Sequence, residues 1–328
     1  MHFVPADRLS TDENERHAML RTYFCDKDAL PIPAQGGWEL ELAWPTGKDR
    51  HVDPALDQGL RWWRGNLDLG DMPFARRREG KILTALYDTW TLHSWSEWLE
   101  RSDAHPSDGI VILHVDDHRD LGSPRLFLRD GKWVDAITLQ AFDLRDPASV
   151  ERSIQSGAVG MGSFMTPFLH LFPQADVRHL CQPPKTSVTR RCSFRATTEP
   201  DTLLDPGSLR PAIELQEESE GLGTYLATPD MDTWLAGIGD QPVLLHIDMD
   251  YFNNRYDGDS DWKTRSEVLD PDSRSVGERI DALTAALARH ALGQRLEDVT
   301  IAFSPGFFPA ELWQEADERL RRGLEEIL

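Results

Sequence analysis

An apolar run that breaks off into acids, Ile110-Val-Ile-Leu-His-Val-Asp-Asp-His-Arg-Asp120, limits what this chain can become more than any other stretch. Its β-branched start reads as a strand buried on both faces, as in a parallel sheet. Parallel α/β sheets carry their sites beyond the carboxyl ends of the strands. Asp116, Asp117, His118 and Asp120 therefore mark a candidate site. A second run, Pro242-Val-Leu-Leu-His-Ile-Asp-Met-Asp250, has the same form. The two-residue period of a strand turns its Asp248 and Asp250 to one side. Five acids and a histidine at one end of a sheet would repel strongly, because an unpaired buried carboxylate costs several kcal/mol. A pair of divalent cations would remove that cost, and oxygen plus imidazole ligands suit Mn, Fe, Co or Zn. Either stretch alone reads equally well as helix caps and solvated loop acids; the two together favour a metal centre.

The rest of the chain supplies an α/β frame for these two tips. Ile82–Tyr87 is strand-like, and Ser94–Arg101 reads as a helix with Trp95, Trp98 and Leu99 on one side. This sets His93 in a strand-to-helix loop, at the same end of the sheet as Asp116. A hairpin is predicted over Arg125–Leu128 and Trp133–Ile137, turning at Asp130-Gly131. Ser153–Phe172 is glycine-rich and then apolar. Gly160 there permits a close backbone approach to a substrate or, equally well, a tight packing loop. Val177–Cys181, Thr186–Ala196 and Leu222–Ala227 read as strands, and 197–222 as an exposed loop rich in Pro, Gly, Asp and Glu. Val276–Leu292 is an amphipathic helix and Val299–Phe303 a last buried strand. Ser304 and Gly306 follow that strand on the same rim, and Leu312–Leu328 closes the chain as a charged helix. Asp257–Asp261 begins like a calcium loop but has Trp262 where a glycine is needed and Val268 where a glutamate is, so it reads as a solvated loop. Residues 1–80 mix helical, strand and loop signals and read as an accessory region packed on a main domain of 81–328.

Charge and cysteines narrow the function. A formal net charge of −21, spread along 328 residues, argues against nucleic-acid binding, which needs a basic face. It favours a cationic partner, although acidity also serves solubility. Cys25, Cys181 and Cys192 are far apart and odd in number, which suits a reducing compartment better than a disulfide framework. Met1–Leu20 is too charged for a signal peptide, and no apolar run approaches the length of a membrane span. The expectation is a cytoplasmic protein with no membrane partner.

With these residues in hand, the chain resembles the arginase/deacetylase (ureohydrolase) superfamily. Within it, the chain is most similar to the divergent branch that includes the peptide arginases of ribosomal peptide biosynthesis. The Asp-x-His-x-Asp motif is met by Asp116, His118 and Asp120, and Asp-x-Asp by Asp248 and Asp250; His93 has the spacing of the family's leading histidine. The resemblance covers about Lys81 to Pro309. It implies a three-layer α/β/α fold around a mainly parallel sheet. It also implies two metal ions, most often Mn2+, one held by His93, Asp116, Asp120 and Asp248 and the other by Asp116, His118, Asp248 and Asp250. It further implies a metal-bridging hydroxide, steadied by Asp120 with His118 beside it, that converts arginine side chains of a precursor peptide to ornithine and urea.

Two departures from free-arginine arginases matter. Ser304 stands where the family places a glutamate beneath the guanidinium, so a cationic substrate needs a carboxylate from elsewhere, with Glu311 or one of Glu214 to Glu220 as candidates. No histidine clearly matches the proton shuttle, and His170 and His246 read more simply as core residues. Ser304, Gly306, Gly160 and Glu311 are the substrate-side candidates. A deacetylase on the same scaffold, for which Tyr251 would sit near the carbonyl, and a non-catalytic module whose metal only staples the fold are the alternatives.

Overall fold

The computed structural model describes residues 2–64, 67–217, 223–258 and 262–328, without the side chains at 49, 64 and 294. The chain begins with β1 (His2–Pro5), helix α1 (Glu13–Phe24), β2 (Asp28–Ala34), β3 (Gly37–Ala43) and α2 (Leu56–Arg64). A hairpin of β4 (Arg76–Glu79) and β5 (Ile82–Ala85) follows, then α3 (Trp90–Arg101), β6 (Val111–Val115) and a hairpin of β7 (Leu126–Arg129) and β8 (Lys132–Asp135). Next come α4 (Pro147–Ser156), α5 (Met165–Leu171), β9 (Asp176–Leu180), β10 (Arg190–Pro200), β11 (Leu209–Gln216) and β12 (Gly223–Thr228). The chain ends with α6 (Met231–Leu235), β13 (Val243–Asp248), α7 (Ser273–Arg289), β14 (Leu296–Ala302) and α8 (Trp313–Glu325).

The fold is mixed α/β, built on a nine-stranded sheet in the order β11-β10-β12-β9-β6-β13-β14-β5-β4. The run from β12 to β5 is parallel throughout, and antiparallel pairs close both edges. β6 and β13 are buried along their whole length, as expected of central parallel strands. They pair in register from Val243–Val111 to Ile247–Val115, which brings their acidic tips side by side. The β7–β8 hairpin turns where expected: Asp130 and Gly131 both take positive φ, 50° and 74°, as a two-residue turn requires.

Two readings change. Within 197–222, read as an exposed loop, residues 197–200 continue β10 and Leu209–Gln216 forms β11, which pairs with it. α3 begins at Trp90, so His93 lies a turn inside a helix and not in the loop before it.

The first 80 residues are woven into this frame. β1, β3 and β2 form a separate antiparallel sheet whose small core joins Val4, Leu20, Phe24 and Leu40 to Leu203 of the β10–β11 connection. Leu56, Leu60 and Trp63 of α2 belong to the main core with Phe303 and Trp313. β4 is itself an edge strand of the central sheet, so a boundary at residue 80 falls in the tip of a hairpin.

Candidate metal centre

Four neighbouring strands bring the site together at their carboxyl ends. β6 ends in Asp116, β13 in Asp248, β14 leads to Ser304 and β5 to Asp88. The two inner tips are laced by backbone and side chain. Asp116 Oδ1 accepts the His118 amide at 2.5 Å, Asp248 Oδ1 accepts the Asp250 amide at 3.1 Å, and Asp250 Oδ1 accepts the Asp117 amide at 3.1 Å. His118 Nδ1 sits 2.8 Å from Asp250 Oδ2 and 3.6 Å from Asp116 Oδ1. Ser304 donates to Asp248 Oδ2 at 2.5 Å, from a residue held at φ 42°. Asp88 Oδ2 accepts the Gly162 amide at 3.0 Å.

Asp88, Asp116, Asp120, Asp248 and Asp250 are all buried. Burial first, then neighbouring carboxylates, pushes the proton affinity of Asp116, Asp248 and Asp88 well above the ordinary range, and burial lifts Asp120 to about 6. Asp250 escapes this: burial opposes its charge, but the His118 imidazole beside it holds it below the usual range. Against the effect of its own burial, Asp250, Asp116 and Asp257 raise the His118 imidazole well above its ordinary value. Asp88 Oδ1, Asp116 Oδ2 and Asp120 Oδ2 are buried and lack any hydrogen-bond partner. Orphaned carboxylate oxygens facing one another are what a cation would satisfy. Ligand atoms of Asp116, His118 and Asp250 lie within 4.8 Å of one another, as do those of His114, Asp116, Asp120 and His246. These groups of buried histidines and aspartates can hold metal, and Asp116 belongs to both.

Beneath the acids lies a row of histidines from three adjacent strands. His114 and His246 stack at 5.1 Å with their Nδ1 atoms 3.0 Å apart, and His179 meets His114 at 4.7 Å. Burial depresses all three, His246 to about 3 and His179 to about 4, so they are neutral at physiological pH. His114 Nε2 reaches the His118 carbonyl and His179 Nε2 the Asp116 carbonyl, which fixes the loop that carries the acids.

A cavity of about 440 Å³ opens onto the centre, lined by Asp88, His118, Asp120, Asp248, Asp250 and Ser304 together with Met161 and Phe307. Arg119 stands at its edge. Beside it Lys185 sits 2.9 Å from both Asp117 Oδ2 and Asp257 Oδ1 and 2.8 Å from His118 Nε2, so the segment read as a solvated loop sends Asp257 into the site. Residues 259–261 of that segment lie outside the described residues.

The structure therefore gathers Asp116, His118, Asp120, Asp248, Asp250 and Ser304, and leaves others out. His93 is buried against Trp90, and the charges that act on it are Glu97, Arg76, Glu151 and Arg78, none of them a strand-tip acid. Its place at the rim is taken by Asp88, which the strand-then-acid rule applied to Ile82–Tyr87 would have found. Glu311 is bound to Arg255 at 2.5 Å and Glu214 to Arg195 at 2.7 Å, and neither lines the cavity. Glu218 and Glu220 lie outside the described residues. Gly306 packs against His51, and Gly160 lies beside Asp26 of the N-terminal region. His170 bonds the Ala212 carbonyl, away from the site, and Tyr251 is buried against Phe252 and does not line the cavity. No helix among the described residues is long and apolar enough to cross a membrane. No protein-family model matches the chain, and no curated protein matches it significantly.

Proposed function

We propose that this protein is a binuclear-metal hydrolase with a three-layer α/β/α, arginase-like frame, acting on the guanidinium of arginine side chains in a peptide and releasing urea. The observation that supports it is a rim of five buried carboxylates with three orphaned oxygens, in which Asp116 belongs to two overlapping ligand groups. Asp116, His118, Asp248 and Asp250 would hold one ion, and Asp88, Asp116, Asp120 and Asp248 the other. Oxygen-rich sets with one imidazole favour Mn2+, with Zn2+, Fe2+ or Co2+ also compatible. Two ions held there would supply the chemistry of a bound water with its pKa brought near neutrality.

The chain's own residues do the remaining work. Ser304 fixes one oxygen of Asp248, so that carboxylate presents a set edge to the cavity. Asp120, which lines the cavity with one oxygen free of hydrogen bonds, is suited to take a proton from the attacking water and release it to the departing amine. Phe307 and Met161 narrow the approach and exclude water from the reacting group. Tyr251, which a deacetylase would need at the carbonyl, stands away from the cavity.

The test is elemental analysis of purified protein together with urea release and loss of CN2H2 from arginine-containing peptides in the presence of Mn2+. Two equivalents of metal and stoichiometric urea are expected. Bound metal with no urea from any arginine peptide would overturn the reading.

A further inference from the structure

A second cavity of about 250 Å³ shares Met161 and Phe307 with the first and is lined by Asp26, Arg50, His51 and Tyr87, with Cys25 and Arg21 toward the surface. Asp26 comes from the turn after α1, more than 130 residues from the segment that holds it. It is only 8% exposed. Its Oδ2 accepts the Met161 amide at 2.9 Å. The next amide, Gly162, is the one bound by Asp88 of the metal centre. Adjacent amides of one short segment are thus held by a carboxylate of the metal centre and by a carboxylate of the second cavity.

A buried carboxylate without a counter-ion in contact is costly. The two arginines that influence Asp26 are committed elsewhere. Arg50 donates to the Cys25 and Lys27 carbonyls and to Asp28, and Arg125 to the Thr22 carbonyl and the Cys25 thiol. His51 is neutral, pushed down to about 4 by burial, and is tied to Pro305 and Tyr87. Among the described residues, Asp26 is thus the one carboxylate lining this cavity, which Met161 and Phe307 join to the cavity of the metal centre.

Resting on the proposed hydrolase reading, we propose that Asp26 is the guanidinium-recognising residue: it accepts N–H bonds from the arginine side chain whose central carbon is presented to the rim acids. This gives the N-terminal region a role, completing the substrate site. It also supplies a carboxylate in the adjoining cavity, which neither Glu311 nor Glu214 lines. Gly160 belongs to the same device, because a Cβ there would fall 2.9 Å from Asp26 Oδ2.

The experiment compares Mn2+-loaded protein binding to a short blocked peptide with one internal arginine against the same peptide with citrulline, the neutral isostere, while urea release is followed in parallel. Wild type is expected to prefer arginine by at least tenfold, about 1.4 kcal/mol. Asp26→Asn, whose amide oxygen keeps the Met161 bond, should bring the preference within about twofold and raise KM more than it lowers kcat, with metal content unchanged. Asp26→Glu should recover part of the preference, and Gly160→Ala should reduce it with the carboxylate still present. Wild-type preference retained in Asp26→Asn, or no preference in wild type, overturns the assignment. Preference lost in the variant with no urea from wild type upholds Asp26 and sinks the ureohydrolase reading. Urea from both proteins with equal kinetics does the reverse.

Discussion

Asp116→Asn should reverse the sign of its effect on stability when metal is added. Asp116 is 1% exposed, and its ligand oxygens lie within 4.8 Å of those of Asp120 and of Asp250. At that separation and an effective dielectric of about 20, each ionised pair is repulsive by roughly 3.5 kcal/mol. Without metal, replacing Asp116 removes either that repulsion or the cost of protonating the buried carboxyl to avoid it, and a gain on the order of 3 kcal/mol follows. With about 2.1 cal/mol/K of unfolding entropy per residue, 328 residues give about 0.7 kcal/mol/K, so Tm should rise by about 4 °C. Metal at a hundredfold excess over its Kd stabilises wild type by about 2.7 kcal/mol per ion, or about 8 °C for two ions. The variant, missing the residue shared by both ligand groups, should lose that response. Thermal unfolding in chelator and in excess Mn2+, with bound metal measured, reads both arms. A shift of the same sign in both conditions, or a metal response intact in the variant, would refute the reasoning.

Other outcomes follow from the same geometry. Asp88→Asn should lower bound metal by about one equivalent, whereas His93→Ala should keep both and cost about 1–3 kcal/mol of stability through lost packing on Trp90; elemental analysis and thermal melts separate the two. Because the Asp120 carboxyl is raised to about 6 from an ordinary 3.8, its stabilising share in metal-free protein is complete below 3.8 and lost as pH climbs through 6. Metal needs the deprotonated form, so the Tm increment from Mn2+ should grow between pH 5 and 7.5, roughly the window set by this group; a flat increment would contradict that. Gly59→Ala should destabilise by roughly 1–3 kcal/mol in denaturant unfolding, since its Cβ would fall 2.5 Å from the Trp313 ring.

The legible part of the site was the part that local periodicity controls. Asp116, His118, Asp120, Asp248 and Asp250 each end an apolar run, and parallel strands deliver such ends to one rim. His93 was misplaced because α3 begins without a capping side chain: Thr89 makes no cap bond, and nothing polar announces the start at Trp90. The end of β10 and all of β11 escaped the reading because they are half exposed and carry Pro and charged residues, so neither shows a continuous apolar run. Asp26 was invisible for a different reason. Its partner, Met161, lies far along the chain, and no spacing rule reports a contact made only by tertiary packing.

The β4–β5 hairpin has a consequence for how this protein can be divided. A chain started at residue 81 would lose β4 and leave β5 with a row of unpaired backbone groups at the border of the central sheet. It would also strip Leu56, Leu60 and Trp63 from Phe303 and Trp313. Such a fragment offers a sticky flank to its own copies. The front of the chain is therefore not a detachable module, and any ancestor that lacked it must have guarded that flank by other means.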